Sequence, residues 1–508
     1  MYSFSAALAV FLFVSPSFFP GTFALGDTCN DNLAVYWGQN SYGAAHSDQQ
    51  NFQRPLSFYC QDDSIDVFPL AFLNVFFGPG GEPEINLANV CNPTDNATFP
   101  GTDLANCESM AQDIATCQAK GKKITISLGG ATGGGAFSND NQAKSFADQI
   151  WNLFLGGSSS TRPFGAAVLD GVDLDIEGGG GSGYIAFVNQ LRSHYAGASK
   201  KYYITGAPQC VYPDGAMSPV LNAAVFDAVY VQFYNNACGL PSYPGTNWNF
   251  GTWDIWARTI SLNKNVKIYI GAPAAPSAAG SGYQELVKLR TIAQDMRSSF
   301  PSFGGVMLWD ASQAYDNNRY DRGVKDFLKA GSSCGAFQYP ACSAPAWASG
   351  TTYPAGTKVT YEGYIWEARY SASDKPDGLA SSSSWSPINA CAGASRAPPP
   401  PSHTTTTTRP PTTTAATPPT KTTVTPPSLA PTGTPGSCSG IPAWLNSVAY
   451  PNPTKVTYNG HIWQNTYWTQ AGTPGGSAGV WTDLGPCASK SARISRRKPT
   501  AWHFSPDR

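Results

Sequence analysis

In the run Asp170-Gly171-Val172-Asp173-Leu174-Asp175-Ile176-Glu177, four carboxylates sit in an otherwise apolar stretch at the two-residue period of a β-strand. Alternate side chains of an extended strand share a face, so Asp173, Asp175 and Glu177 point one way while Val172, Leu174 and Ile176 point the other. Three acids stacked on one face repel each other and lose hydration, a cost that packing alone does not offset. Closely packed carboxyls cannot all ionise, and that repulsion lifts the outermost, Glu177, toward the pKa a general acid needs. Glycines 178–181 break the strand at once, leaving Glu177 as the last residue before a loop. An acid array at the C-terminal end of a strand is where a (β/α)8 barrel keeps its chemistry. The competing reading of the run is a calcium-binding or solvated acidic loop.

The elements that would position these acids can be read on either side. Eight short β-branched or apolar runs precede residue 334: Leu33–Trp37, Val67–Leu73, Lys123–Leu128, Gly171–Glu177, Tyr202–Ala207, Val229–Tyr234, Val266–Gly271 and Gly305–Trp309. Segments with helical spacing lie between most of them, among them Asp140–Leu155, Tyr184–Tyr195 and Gln284–Phe300. Strand alternating with helix eight times predicts an α/β fold, a TIM (β/α)8 barrel over residues 27–336.

Beyond Cys334 the composition changes. Residues 342–391 and 438–487 are each bounded by cysteines with the same separation of 49. Trp347, Tyr353, Val359, Tyr361, Gly363, Trp366 and Tyr370 recur 97 residues later as Trp444, Tyr450, Val456, Tyr458, Gly460, Trp463 and Tyr467, and Trp385 and Trp481 complete the copies. Each copy reads as a small β-module held by one disulfide rather than by a large core. Residues 392–437 are nearly all Pro, Thr, Ser and Ala, a linker composition that cannot bury enough apolar surface to fold. The basic tail, 488–508, reads as disordered.

Only 13% of the 508 residues are charged and the net charge is −1, which argues against nucleic acid or an anionic membrane as partner. The apolar run from Ala6 to Val14, followed by small residues around Ala24, predicts a cleaved signal peptide over residues 1–25 and export to the cell exterior or wall. Twelve cysteines fit an oxidising compartment, and with no CxxC and five scattered histidines no metal site is expected. Asn96-Ala97-Thr98 is an N-glycosylation sequon.

The acidic run fits the DxxDxDxE signature of the family 18 glycoside hydrolases, the chitinase family, with every acidic position filled. Ile124–Gly130 resembles that family's SxGG strand. Tyr36–Asn40, Ala71–Asn74, Ala207–Cys210, Val231–Asn236 and Gly304–Trp309 resemble its compact plant and fungal (class III) type in order and spacing. The two repeats resemble short chitin-binding modules, whose exposed sugar platform is an adjacent aromatic pair. The second copy has Tyr467-Trp468, while the first has Tyr370-Ser371 and is expected to bind weakly or act as a spacer.

The resemblance implies a secreted endochitinase, a monomer without cofactor, cleaving β-1,4 links between N-acetylglucosamine units of chitin and chitooligosaccharides. It implies Glu177 as general acid and then base, while the N-acetyl oxygen of the sugar attacks to give an oxazolinium-type intermediate with net retention. Asp175 would orient the acetamido N–H, Asp173 would share a proton with Asp175, and Tyr234 would donate to the acetamido carbonyl. Gln232 and Trp309 match substrate-binding positions, Tyr36 and Asn74 are further groove residues, and Gly129 and Gly130 leave room for backbone close to the sugar rather than touching it with side chains. Asp170 is structural. The same resemblance pairs Cys60 with Cys117, Cys91 with Cys107 and Cys210 with Cys238. The module bridges would be Cys342–Cys391 and Cys438–Cys487, and the pairing of Cys29 and Cys334 stays open. The rival functions are a non-catalytic lectin or inhibitor on the same barrel, and an endo-β-N-acetylglucosaminidase acting on N-glycans.

Overall fold

The computed structural model describes residues 29–131, 135–178, 182–379, 383–392, 441–445, 449–450, 454–465, 469–470, 473–474 and 481–487. The expected signal peptide, nearly all of the linker, the basic tail, Cys438 and the Tyr467-Trp468 pair lie outside them. The chain divides into two units, residues 1–397 and 398–508.

Eight parallel strands make the barrel of the first unit's central sheet, to which Glu84–Ile85 adds an antiparallel ninth: β1 (Asn32–Val35), β2 (Val67–Val75), β3 (Lys123–Gly129), β4 (Gly171–Asp175), β5 (Tyr203–Gly206), β6 (Ala228–Gln232), β7 (Lys267–Pro273) and β8 (Phe303–Trp309). Each pairs with its sequence neighbours, and β1 pairs with both β8 and β2, so the sheet closes into a barrel. Alternation sorts the side chains into two cores. Tyr36, Tyr203, Tyr230, Tyr269, Phe72 and Met307 fill the interior. Val35, Ile126, Val172, Leu174, Ile204 and Ile270 point outward into a second, larger core that also takes in helix residues such as Phe146, Ile150 and Leu191. The helix Asp140–Phe154 starts where Asn139 accepts a hydrogen bond from the Gln142 N–H, satisfying one orphan donor of its first turn.

The barrel is closed covalently as well. Cys29 is bridged to Cys334, and the Asn30 N–H donates to the Ser333 carbonyl at 3.2 Å. Cys60–Cys117, Cys91–Cys107, Cys210–Cys238 and Cys342–Cys391 are also bridged. Among the described residues no strand lies between Gln232 and Lys267, and no helix is long and apolar enough to cross a membrane.

Residues 342–391 form a three-stranded antiparallel sheet from Lys358–Tyr361, Tyr364–Ala368 and Trp385–Ala390. The second unit contains the same sheet, from Lys455–Tyr458, His461–Asn465 and Trp481–Pro486. In both, the first two strands are joined through two residues of positive φ, Glu362-Gly363 and Asn459-Gly460, as a tight hairpin requires. In both, an indole N–H donates to the first strand's last carbonyl, Trp366 to Tyr361 at 2.8 Å and Trp463 to Tyr458 at 3.1 Å.

Candidate active site

Strand register decides what surrounds the acids. Asp173 pairs laterally with Ser127 on β3 and Thr205 on β5, so three inward side chains meet at one level of the barrel. Ser127 donates to Asp173 Oδ2 at 2.7 Å and Thr205 to Oδ1 at 2.6 Å, and Tyr36 completes the shell with a bond to Oδ2 at 2.7 Å. Burial raises the pKa of Asp173 while these three donors oppose it. Three hydroxyls thus hold the Asp173 carboxylate, which leaves it one acceptor position toward Asp175. Tyr36 is no open groove residue: it is 2% exposed and lies beneath the acids.

One step toward the mouth, Asp175 Oδ1 accepts from the Gln232 amide at 2.9 Å, and the same amide donates to the Ala207 carbonyl at 2.9 Å. Burial, then the charges of Glu177, Asp173 and Asp214, drive the Asp175 carboxyl well above its ordinary range. Glu177 lies two residues past the end of β4, half-buried, with its pKa raised to about 7. Removal of its carboxyl from water is the main cause; the charge of Asp214 adds to it and a hydrogen bond from Gln232 opposes it. Repulsion between Glu177 and Asp175, which the sequence suggests, acts on this pair together with the burial that is the first cause for each. Tyr234, 8% exposed, feels both Asp175 and Glu177, which together with burial raise its hydroxyl well above the ordinary phenol range.

The floor is aromatic. Trp309, the last residue of β8, stacks on Phe72 with centroids 5.8 Å apart and planes 19° apart, and packs against Tyr36 at 5.5 Å. Asp310 anchors the following turn by accepting from the Ser41 and Gln313 N–H groups and the Ser312 hydroxyl. Asn74, near the end of β2, has a buried Oδ1 without a partner. Gly129 and Gly130 leave room for close neighbours: a Cβ on Gly129 would stand 2.4 Å from the Asp175 carbonyl oxygen, and one on Gly130 would meet the Phe72 ring at 2.7 Å. Both have positive φ, and the Gly130 N–H donates to the Asp175 carbonyl at 2.8 Å. Asp170 accepts from the Ile124 N–H, Gln118 and Lys200 at the opposite end of β4.

Asp214 escaped the sequence reading. In Pro213-Asp214-Gly215 it looks like a turn former, yet it is 7% exposed and accepts from the N–H groups of Gln209, Ala216 and Met217. Burial raises its own pKa and those three bonds lower it. Only its charge reaching Asp175 and Glu177 reveals it as part of the site, and no local pattern carries that signal.

A closed parallel barrel with a buried column of carboxyls at the C-terminal ends of its strands defines an acid–base enzyme architecture. The family model for glycosyl hydrolases family 18 matches residues 32–280. The chain is 49% identical over 302 residues to chitinase 2 of Rhizopus oligosporus, covering 59% of this chain and 53% of that protein. It is 42% identical over 310 residues to an endochitinase of Saccharomyces cerevisiae, covering 61% and 51%. It is 41% identical over 336 residues to endochitinase 33 of Trichoderma harzianum, covering 64% of this chain and 98% of that protein. The chain belongs to glycosyl hydrolases family 18. It spans about half the length of the first two of these relatives.

Proposed function

We propose that the protein is a secreted endochitinase that hydrolyses β-1,4 links between N-acetylglucosamine units with retention, using the substrate's own acetamido group as nucleophile. The observation that carries this reading is the pairing of a carboxyl raised to about 7, Glu177, with a second buried carboxyl and a phenol beside it. A raised carboxyl holds its proton near neutral pH and can give it to a leaving oxygen.

In this mechanism Glu177 protonates the glycosidic oxygen as the acetamido oxygen closes on the anomeric carbon. Asp175 accepts the acetamido N–H, and Tyr234 donates to the acetamido oxygen, aligning it for attack. Gln232 holds Asp175 in place, and Asp173, tied to three hydroxyls, supplies a fixed negative field beneath. Trp309 and Phe72 form the apolar floor for the sugar ring, and Asn74 has an acceptor left for its polar edge. Water then opens the oxazolinium ring with Glu177 as base. The intact acid and tyrosine positions support an enzyme over a lectin or inhibitor on this barrel. The repeat in the second unit supports adhesion to insoluble chitin, and Tyr467 and Trp468 are the residues proposed for it.

Product analysis by NMR on a chitin hexamer tests the reading with the full chain. Internal cleavage with the β-anomer released first is expected. No products from pH 3 to 8, or α-anomer released first, rejects it. Faster release from a high-mannose glycopeptide would replace the substrate assignment.

A further inference from the structure

The duplicated 50-residue unit is not used the same way twice. We propose that residues 342–391 are a permanently docked part of the barrel, and that one face of the sheet has diverged between the copies to make this so. This inference is independent of the catalytic reading.

The barrel side of the joint is the helix Phe250–Ile255 and the π-turn Trp256–Ile260 that follows. Asp254 on that helix is fully buried. Its Oδ1 accepts from the Ser302 N–H at 3.0 Å, and its Oδ2 accepts from the Tyr364 hydroxyl of the small sheet at 2.8 Å. Arg258 Nη1 donates to the same hydroxyl at 2.8 Å and lies 3.7 Å from Asp254 Oδ2. Tyr364 therefore gives Asp254 Oδ2 a direct hydrogen bond beside the Arg258 guanidinium and Ser302 N–H that the barrel supplies, and removing one partner from so buried an ion pair is costly. Asn389 adds a bond to Ser299 at 3.2 Å.

Two glycines show how closely the surfaces meet. A Cβ on Gly251 of the barrel would stand 2.1 Å from the Pro387 carbonyl oxygen of the small sheet. A Cβ on Gly378 of the small sheet would stand 2.4 Å from Ile255 Cδ1. Each surface is shaped to the other, which a free module on a tether does not require.

The second copy has the same strands without this face. Pairing within the sheets aligns Tyr364 with His461, Pro387 with Asp483 and Asn389 with Gly485. His461 Nδ1 and the Asp483 carboxylate are 2.8 Å apart, with their side chains 30% and 32% exposed. Docking that surface as the first copy docks would strip water from both groups and remove the hydroxyl that Asp254 needs. The joint also lies near Ser299–Ser302, which lead into the N-terminal end of β8, away from the end of β4 that carries Glu177. The hydrogen-bonded part of the joint thus lies away from the acids, while Asp377 of the docked copy comes within electrostatic reach of Tyr212, in the loop after β5 that also carries Asp214.

The test is a protease site placed between Gly335 and Gln338 of the full chain. After cleavage no described disulfide joins the pieces, since Cys29–Cys334 stays with one and Cys342–Cys391 with the other. The cut halves should co-elute in gel filtration at micromolar concentration. Giving the first copy the second copy's face, Tyr364→His with Pro387→Asp and Asn389→Gly, should raise the concentration needed for co-elution at least tenfold. Gly251→Leu, which leaves the small sheet unaltered, should do the same. Separation of the unsubstituted halves overturns the proposal, as does continued co-elution of both variants at the original concentration.

Discussion

Gln232 on β6 reaches across β5 to hold Asp175 on β4, its amide 2.9 Å from Oδ1, so the central acid of the column is oriented by a strand that is not its neighbour. The link fixes Asp175 before any sugar arrives, and it places the same amide where it lowers the pKa of Glu177. Replacing Gln232 by Leu removes a donor from two carboxyls at once. Expected is a fall in kcat of about 10–100-fold, in line with the cost of a lost bond to a buried charge. The alkaline limb of the pH–rate profile should also move to higher pH. Steady-state kinetics on a soluble chitooligosaccharide reads both.

Glu177→Gln keeps the shape of the side chain and abolishes proton transfer. Turnover should drop by about 10²–10⁴-fold, the usual contribution of a positioned general acid, while oligosaccharide binding by calorimetry stays within a few-fold. Near-wild-type turnover would remove Glu177 from its role.

The pH profile has a definite sign. The acid must be protonated to act, so kcat/KM should fall as pH rises through about 7, the pKa of Glu177. Asp214→Asn deletes a charge that raises this pKa, and the alkaline limb should shift to lower pH. An unchanged limb would show that Asp214 serves the turn alone.

Stability should carry the same sign in pH from the same group. An unfolded glutamate has a pKa of about 4.3, so between there and about 7 the folded protein binds more protons than the unfolded chain. The contribution of Glu177 to stability is therefore fully present below the unfolded value and is lost as pH rises through the folded one. Glu177→Gln should raise Tm more at pH 8 than at pH 4 in calorimetric scans. Equal shifts at both pH values would contradict the raised pKa.

Opening the Cys29–Cys334 bridge by a double Ala substitution should cost about 2–4 kcal/mol, the usual range for a native disulfide. Chemical denaturation measures this, and activity at low temperature should persist because the acids are far from the bridge in the fold.

The period-two acids made β4 and its exposed end legible, and the alternation of runs made the barrel legible, because both are properties of one strand at a time. The shell around Asp173 was not. Ser127 and Thr205 come from two other strands and Tyr36 from just past the end of β1, and only the register Ser127–Asp173–Thr205 brings the first two hydroxyls to one level. The sequence suggested that Tyr36 lines a groove, but its position in the barrel interior makes it a donor beneath the acids. Gly129 and Gly130 were readable as a place of close approach, yet what approaches is the Asp175 carbonyl and the Phe72 ring, partners that no local spacing names. The repeat was plain in its shared aromatics. Its divergence lay in Tyr364 and His461, residues whose different roles depend on a helix more than a hundred positions upstream of the first.

Cys29 and Cys334 bring the first and last turns of the barrel together beneath the strands, where Asn30 and Ser333 also bond. With its two ends adjoining, the barrel is a ring in all but one peptide link. New ends could be cut in an outer loop and the old ones joined without dismantling the acid column. Whatever is appended after Cys334 sets out from the rear of the ring, so the chain leaves the barrel at the end opposite the acids.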